Sequence, residues 1–183
     1  PVVIMQLPGY MSKHDQPVET SWTKIRQEQY IASQHIKGAS LAPTFDTGEY
    51  NDIHPQDKAT AGHRACMQMM KMAYGERSTR TDVPKPASAR IENGTVVITF
   101  VETGSGLKVK GDKLNDFAVL IDGKYQWADT HIVDNTTVAV TLPAGVSATT
   151  VRYGWDDYPQ PSLFNNEGVP VPQFQIATTD ITK

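Results

Sequence analysis

The stretch Asp-Ile-His-Pro, from Asp52 to Pro55, holds residue types that a hydrolytic site needs. His54 can take a proton from a nucleophile as a general base, and a nearby carboxylate can fix its tautomer and stabilise the imidazolium. Asp52 stands two positions before the histidine and is the natural orienting acid. The sequence therefore offers His54 and Asp52 as candidate catalytic residues.

Two other interpretations of this loop remain open. His54 can be a solvent-exposed residue that caps the following helix, and Asp52 can be a turn aspartate that bonds to its own backbone. Asp46 and Glu49 add further oxygen ligands, so a divalent metal site is an alternative, although the spacing matches no standard metal loop. Spacing alone does not decide among the three.

A general base needs a nucleophile, and this chain offers no serine in an activating setting, which is a tight, Gly-flanked turn after a strand. Ser105 has glycine neighbours in Thr-Gly-Ser-Gly, but it falls in a hairpin-like turn. Cys66 lies among alanines and methionines and is predicted to be a small core residue. Arg26 is predicted to lie on a solvated helix face. His63, inside the second helix, is predicted to be a surface or edge residue, and the histidines predicted to be structural or solvated are His14, His35 and His131.

The elements before and after the candidate loop predict a parallel α/β arrangement. Residues 2–6 form an apolar run typical of a strand buried on both faces. A helix capped by Thr20 or Ser21 follows, and Gly38 closes it. The side of this helix predicted to face the sheet carries Trp22, Ile25, Ala32 and Ile36.

A second strand and a second helix flank the candidate loop itself. Residues 40–45 predict a weaker strand, because Pro43 removes a ladder donor. Pro55 is predicted at the first position of the next helix, where its missing N–H costs nothing, and Gly75 ends that helix. Strand, helix, strand, helix is the repeat of a parallel α/β sheet.

The period of the hydrophobic pattern changes to two beyond a polar linker at residues 78–86. Asn-Gly and Asp-Gly turns are strong hairpin signals, so residues 87–158 predict a small antiparallel β-sandwich or barrel of about six strands. Residues 159–183 predict an irregular segment that packs on a neighbouring domain.

The first unit is too small to stand alone. Sheets of this kind carry about five strands, and the strand at residues 2–6 is too apolar for an open edge. Residues 1–77 are therefore predicted to be the C-terminal part of a larger α/β domain. Pro1 in place of methionine agrees with a processed product or a fragment.

Composition excludes several function classes. The net charge of −3 argues against nucleic acid and anionic membranes as partners, since both favour a basic face. One cysteine allows neither an internal disulfide nor a cysteine metal cluster.

Six segments carry a resemblance to a known family, namely VVIMQLPGY, KIRQEQ, DIHPQDKATAGHR, QWAD, VRYGW and LFNNEGVPVPQF. In that order they resemble the C-terminal half of the sialate O-acetylesterases, which are SGNH hydrolases related to acetylxylan esterases and other carbohydrate esterases. The resemblance covers nearly the whole chain. It implies an α/β fold, namely the C-terminal part of a three-layer α/β/α SGNH domain with a parallel sheet, joined to a small antiparallel β-sandwich domain.

The resemblance implies hydrolysis of O-acetyl esters on sugars, of sialate or xylan type, by a serine nucleophile, a histidine base and an acid. His54 matches the histidine of the family's last sequence block. The acid usually stands three positions earlier, where this chain has Asn51. Asp52 can take the role with shifted geometry, Asn51 can leave a Ser–His dyad, or Asp46 can fold back. Asp52 is the favoured candidate.

The family's serine and the glycine and asparagine of its oxyanion hole come from earlier blocks, which this chain lacks. The implied partners are the N-terminal half, as a separate chain or a missing segment, and an acetylated carbohydrate. No cofactor is required. Gln6 and Tyr10 end the first strand at the same sheet edge and are weaker candidates for substrate contacts. A secreted or periplasmic location, or a lysosomal one in a eukaryote, is expected.

The rival class is a non-catalytic carbohydrate-binding or adhesion module, in which the sandwich carries the function and the candidate loop is scaffolding. Exposed aromatic side chains on one sandwich face favour that class, because sugar rings stack on them. Burial of Trp127 and Trp155 in a domain interface favours the esterase.

Overall fold

A computed structural model describes residues 1–180 of the chain, which has two α-helices in this part and is otherwise mostly β-structure. The first part contains β1 (Val2–Met5), α1 (Ser21–His35), β2 (Ala39–Ala42) and α2 (Lys58–Ala73). The two strands pair in parallel, with Val2 opposite Ala39. The predicted order of strand, helix, strand, helix is thus confirmed for this part.

Helix α1 begins where its capping residues predict. The side chain of Thr20 accepts a hydrogen bond from the backbone N–H of Thr23, and the Thr23 hydroxyl oxygen accepts one from the backbone N–H of Thr20. This reciprocal arrangement satisfies two N–H groups that the first turn of a helix leaves without partners.

The buried face of α1 differs from the prediction. Ile25 and Ile36 are exposed, although both belong to the apolar side that was predicted to face the sheet. The buried residues of this helix are Thr23, Arg26 and Ser33. At 3.6 residues per turn this face is rotated by roughly a quarter turn from the predicted one. A polar face packs inward, where Arg26 donates to one backbone carbonyl of the sandwich, as described below.

Helix α2 begins at Lys58, so the prediction that Pro55 opens it is wrong. The carboxylate of Asp57 accepts a hydrogen bond from the backbone N–H of Thr60 at 3.0 Å and caps the helix, while Pro55 lies in the preceding loop. The prediction that Cys66 is a core residue is also wrong, because the thiol is exposed. No helix within residues 1–180 is long and apolar enough to span a membrane.

The remaining strands form two main sheets. Strands β3 to β13 are Lys85–Glu92, Thr95–Val101, Leu107–Val109, Phe117–Ile121, Lys124–Trp127, Thr130–Asp134, Thr137–Thr141, Thr150–Tyr153, Leu163–Asn165, Phe174–Ala177 and Thr179–Asp180. One sheet has the order β13-β3-β4-β9-β8, another has the order β12-β10-β6-β7, and β11 pairs with β5. Both predicted hairpins are present, β3–β4 and β6–β7. The main hydrophobic core lies between these sheets.

The two hairpin turns show why the sequence signals were reliable. Asn93 and Gly94 have φ angles of 49° and 74°, and Asp122 and Gly123 have 48° and 76°. Such left-handed pairs match the twist of a two-residue hairpin, and Asn, Asp and Gly tolerate them best.

The C-terminal segment is not irregular, contrary to the prediction for residues 159–183. It contains β11, β12 and β13, and β12 pairs with β10 and forms one edge of the four-stranded sheet. These strands are only two to four residues long, so their alternation is too brief to be recognised in the sequence. Residues 181–183 lie outside the described part.

Candidate functional site

The loops that follow β1 and β2 meet at the carboxyl edge of the parallel pair. The backbone N–H of Gly9 donates to the carbonyl of Phe45 at 3.1 Å, and the N–H of Met11 donates to the carbonyl of Tyr50 at 2.9 Å. A methyl group on Gly48 would overlap the backbone of Gly9. The two loops therefore pack backbone against backbone, at the sheet edge where open α/β folds place their ligands.

Phe45 anchors the second of these loops in the sandwich core. Its side chain is fully buried, and its ring packs edge-to-face on Tyr153 with centroids 6.4 Å apart. Gly154 makes room for the ring, because a Cβ at that position would lie 2.8 Å from Phe45 Cε2. The start of the loop is thereby fixed relative to the sandwich.

Asp46 is engaged in a buried ion pair. Its Oδ1 and Oδ2 lie 2.5 and 2.8 Å from Nη1 and Nη2 of Arg64, a bidentate arrangement, and both side chains are buried. Arg64 also donates to the carbonyl of Pro43 at 2.8 Å. Because both oxygens of Asp46 already bind the guanidinium, the alternative in which this carboxylate turns toward His54 is disfavoured. The pair instead ties α2 to the end of β2.

Asp52 and His54 form a local pair on the exposed part of the loop. The backbone N–H of His54 donates to Asp52 Oδ1 at 2.7 Å, and the ring Nδ1 of His54 lies 3.4 Å from the same oxygen. The side chains are 83% and 39% exposed for His54 and Asp52. The backbone N–H of His54, followed by its ring, lowers the pKa of Asp52 below its usual value. The carboxylate is therefore charged at neutral pH and faces the Nδ1 side of the ring, so that Nε2 is the nitrogen left to take a proton.

The sequence left other interpretations of this loop open, namely a helix-capping histidine, a turn aspartate and a metal site. The turn aspartate is compatible with the geometry, and the other two fit it less well. The contact from His54 N–H to Asp52 is itself an aspartate turn, so the structural role and the catalytic candidacy are compatible. The helix is capped by Asp57 and not by His54. Among residues 1–180 no cluster of three His, Cys, Asp or Glu side chains has the geometry to hold a metal ion.

The two weaker site predictions have different surroundings. Gln6 is 1% exposed, and its amide donates to the carbonyl of Arg26 at 3.5 Å, so the side chain lies under α1 and not at the open edge. Tyr10 is half-buried, with its ring centroid 5.7 Å from that of Trp22. Of the two, Tyr10 is the residue that lies near the surface of the loop.

Sequence reasoning missed a second Asp–His pair. Nδ1 of His14 lies 3.1 Å from Asp156 Oδ1, and the backbone N–H of His14 donates to Asp156 Oδ2 at 3.0 Å. The Asp156 side chain is fully buried, while that of His14 is 35% exposed. Asp156 also accepts the backbone N–H of Tyr158 at 3.2 Å. No local signal marks this pair, because its members are 142 positions apart.

Arg26 completes the buried polar layer around Asp156. The prediction that it lies on a solvated face is wrong, because its side chain is fully buried and donates through Nη2 to the backbone carbonyl of Asp156. Burial lowers the pKa of Arg26 to about 10, against the opposing charges of Asp157 and Asp156. The guanidinium remains charged at neutral pH and holds α1 to the sandwich.

The hydroxyl of Ser105 is engaged elsewhere in the fold. It donates to Glu167 Oε1 at 2.7 Å, and the backbone N–H of Ser105 contacts the same carboxylate at 3.2 Å. This serine is held in a turn of the sandwich, as its sequence context predicted.

The two tryptophans of the sandwich take part in its contact with the first part of the chain. Trp155 is buried under the guanidinium of Arg152, whose Cζ lies 3.9 Å from a ring centroid, and Arg152 pairs with Glu19 at 2.6 Å. The indole N–H of Trp127 donates to the carbonyl of Asp15 at 2.8 Å. Trp155 thus meets the expectation for the esterase class, whereas Trp127 is only partly buried and does not separate the two classes.

A strand–loop–helix edge with an exposed Asp–His pair is typical of α/β hydrolytic enzymes. The chain is similar to a novel carbohydrate acetylesterase from Xanthomonas citri whose crystal structure has been determined. The two structures share a TM-score of 0.84 and 28% sequence identity over 95% of this chain. The matching region spans 40% of that enzyme's chain. No protein-family profile and no curated protein sequence matches this chain. The similarity supports the carbohydrate-esterase part of the resemblance noted in the sequence.

Proposed function

We propose that this chain is the C-terminal part of a serine carbohydrate O-acetylesterase in which His54 is the general base. The observation that carries the proposal is the similarity to a carbohydrate acetylesterase along 95% of the chain, with an exposed Asp–His pair at the carboxyl edge of the parallel strands. Asp52 is the orienting acid, since Asp46 is held by Arg64.

In the proposed reaction, Nε2 of His54 takes the proton of a serine hydroxyl as its oxygen attacks the acetyl carbonyl. The Asp52 carboxylate, close to Nδ1, stabilises the imidazolium that forms. His54 then donates the proton to the sugar oxygen, which leaves as a hydroxyl. Water, deprotonated by His54, releases acetate from the serine by the same route. No cofactor takes part.

The nucleophile in this proposal comes from an N-terminal half, as a separate chain or a preceding segment. Within residues 1–180, β1 pairs with β2 and with no other strand. Val2 and Met5 on β1 are exposed, as are Ile25 on α1 and Ile36 directly after it. These apolar side chains and the open strand edge offer a surface on which the rest of a three-layer SGNH domain would pack.

The substrate is proposed to be an acetylated sugar of sialate or xylan type, and Tyr10 is the loop residue placed to contact it. Gln6 has a supporting role under α1 instead. A secreted, periplasmic or lysosomal location belongs to the same proposal. In the competing proposal, a non-catalytic carbohydrate-binding module, the Asp52–His54 pair would only stabilise its own turn.

Hydrolysis of 4-nitrophenyl acetate tests the proposal. We expect no turnover by this chain alone, and turnover when it is produced together with the segment that precedes it in its gene. His54→Ala should then abolish most of the activity, while His131→Ala, which alters an exposed histidine on β8, should not.

The outcomes separate the parts of the proposal. Turnover by the isolated chain would refute the split site. An unaffected rate in His54→Ala would remove His54 as the base. No hydrolysis of any acetylated sugar by the complete, folded protein would leave the binding-module class as the better account.

A further inference from the structure

We propose that a cavity between the first loop and the sandwich binds a neutral sugar ring. The cavity has a volume of about 470 Å³ and lies where the loop residues Lys13 to Asp15 face β7 and the segment before β6. This volume falls in the range of about 300–1,000 Å³ that is usual for small-molecule sites.

One wall of the cavity is the indole of Trp127. Its N–H donates to the carbonyl of Asp15 at 2.8 Å, which fixes the orientation of the ring before any ligand arrives. The side chain is partly exposed, in contrast to the buried Trp155. A rigid, partly exposed indole provides the apolar surface on which the C–H face of a sugar ring can stack.

The polar part of the cavity can both donate and accept hydrogen bonds. His14 lines it, and because Nδ1 faces the buried Asp156, Nε2 is the nitrogen available to a ligand. Asp116 is held in place by Lys13 at 3.5 Å and by the backbone N–H of Gln160 at 2.9 Å. The charged residues that line the cavity are Lys13, Lys113, Asp15, Asp116 and Asp129.

This mixture of groups selects a class of ligand. Sugar hydroxyls act as donor and acceptor at once, so they can use carboxylates and ammonium groups side by side. Three carboxylates against two lysines disfavour a ring that carries its own carboxylate. The chemistry therefore fits a neutral pyranose better than an acidic sugar.

The loop that lines the cavity also contacts the loop of the candidate site. Met11, three positions before His14, donates its N–H to the carbonyl of Tyr50 in the loop that carries His54. A ring bound there would contact the loop that follows β1, which packs on the loop carrying His54. The choice of a sugar as ligand rests on the proposed function, but the binding test below does not involve ester hydrolysis, so either proposal can fail without the other.

The test follows the tryptophan indole N–H signals of the chain by ¹⁵N NMR during titration with D-xylose, methyl β-D-xyloside and N-acetylneuraminic acid. The chain has three tryptophans, and Trp127→Phe identifies the signal of interest. We expect the neutral pyranoses at millimolar concentration to shift the Trp127 signal while that of Trp22, which donates to Pro8, stays in place.

Variants localise the binding. Because the Trp127 variants lack that indole signal, their binding is followed by the backbone amide signals of Lys13 to Asp15, which line the cavity. Trp127→Leu should weaken binding by about tenfold or more, while Trp127→Phe, which retains an aromatic face, should weaken it less. His14→Ala, followed by the Trp127 signal, should also weaken it, and His131→Ala should bind like the parent chain. A Trp127 signal that does not move with either neutral sugar would overturn the proposal. A shift with N-acetylneuraminic acid alone, or equal binding by the parent chain, Trp127→Leu and His14→Ala, would do the same.

Discussion

The two neighbouring loops each carry the histidine of an Asp–His pair, and the two pairs differ in the exposure of the carboxylate to water. In the Asp52–His54 pair both side chains are exposed, with 3.4 Å between Oδ1 and Nδ1. In the Asp156–His14 pair the carboxylate is fully buried, and the distance is 3.1 Å. The first pair is formed within one turn of chain, whereas the second joins the first loop to the sandwich.

The difference teaches that an Asp–His contact does not by itself define a catalytic pair. Asp156 accepts the His14 backbone, the His14 ring and the Tyr158 backbone, so it fixes the position of chain segments. Asp52 binds mainly its own turn and leaves the imidazole of His54 accessible. The proposal that Asp52 orients a base and that Asp156 has a structural role therefore depends on the surroundings of the two carboxylates.

The strongest test of this comparison replaces each histidine in the complete enzyme. His54→Ala should lower kcat on every acetyl ester by about 10²–10⁴-fold, because proton transfer to and from the reacting oxygens is lost. His14→Ala should act mainly on KM for acetylated sugars. A kcat loss at His14 as large as that at His54 would reverse the assignment of the two pairs.

A second test concerns the other carboxylate of the His54 loop. Asp46→Asn should lower the free energy of unfolding by about 3–5 kcal/mol, because it leaves the buried guanidinium of Arg64 without its counter-ion. Urea unfolding measures the change. The double variant Asp46→Leu with Arg64→Met should recover part of the loss, and Asp46→Asn with unchanged stability would mean that the ion pair does not tie α2 to β2.

The third expectation applies to the buried member of the second pair. Asp156→Asn places an amide N–H₂ against N–H donors, which should lower the free energy of unfolding by about 2 kcal/mol. Asp52→Asn, the matched change on the exposed pair, should leave the urea midpoint unchanged. Equal midpoints for the two variants would show that burial is not what separates the pairs.

The smallest expected effect is kinetic. Asp52→Asn in the complete enzyme should reduce kcat by about tenfold, since a neutral amide no longer stabilises the imidazolium of His54. The reduction is modest because solvent screens an exposed carboxylate. An unchanged kcat would favour a Ser–His dyad, the alternative that Asn51 suggested.

Local features of the fold were predictable from the sequence. The cap at Thr20 and the Asn-Gly and Asp-Gly turns depend on residues a few positions apart, and each is present. His54 and Asp52 could be named for the same reason, since their contact lies within one turn.

Features that depend on distant partners were not predictable. The buried face of α1 follows from Arg26, whose acceptor at Asp156 is 130 positions away. The predicted start of α2 at Pro55 was wrong because the side chain of Asp57 caps the helix, which therefore begins at Lys58. The strands of the C-terminal segment are stabilised by pairing with β10, β5 and β3, and their own sequences are too short to indicate them.

The packing of Phe45 affects the order in which parts of the protein fold during synthesis. Its ring packs on Tyr153, which the ribosome adds more than a hundred residues later. The loop that carries His54 therefore lacks its anchor until most of the sandwich has been synthesised, and contacts of such long sequence separation form slowly. Chains truncated before Tyr153 should leave this loop open to limited proteolysis, whereas the full chain should protect it. The sheet edge that carries His54 would thus take shape only at a late stage of synthesis.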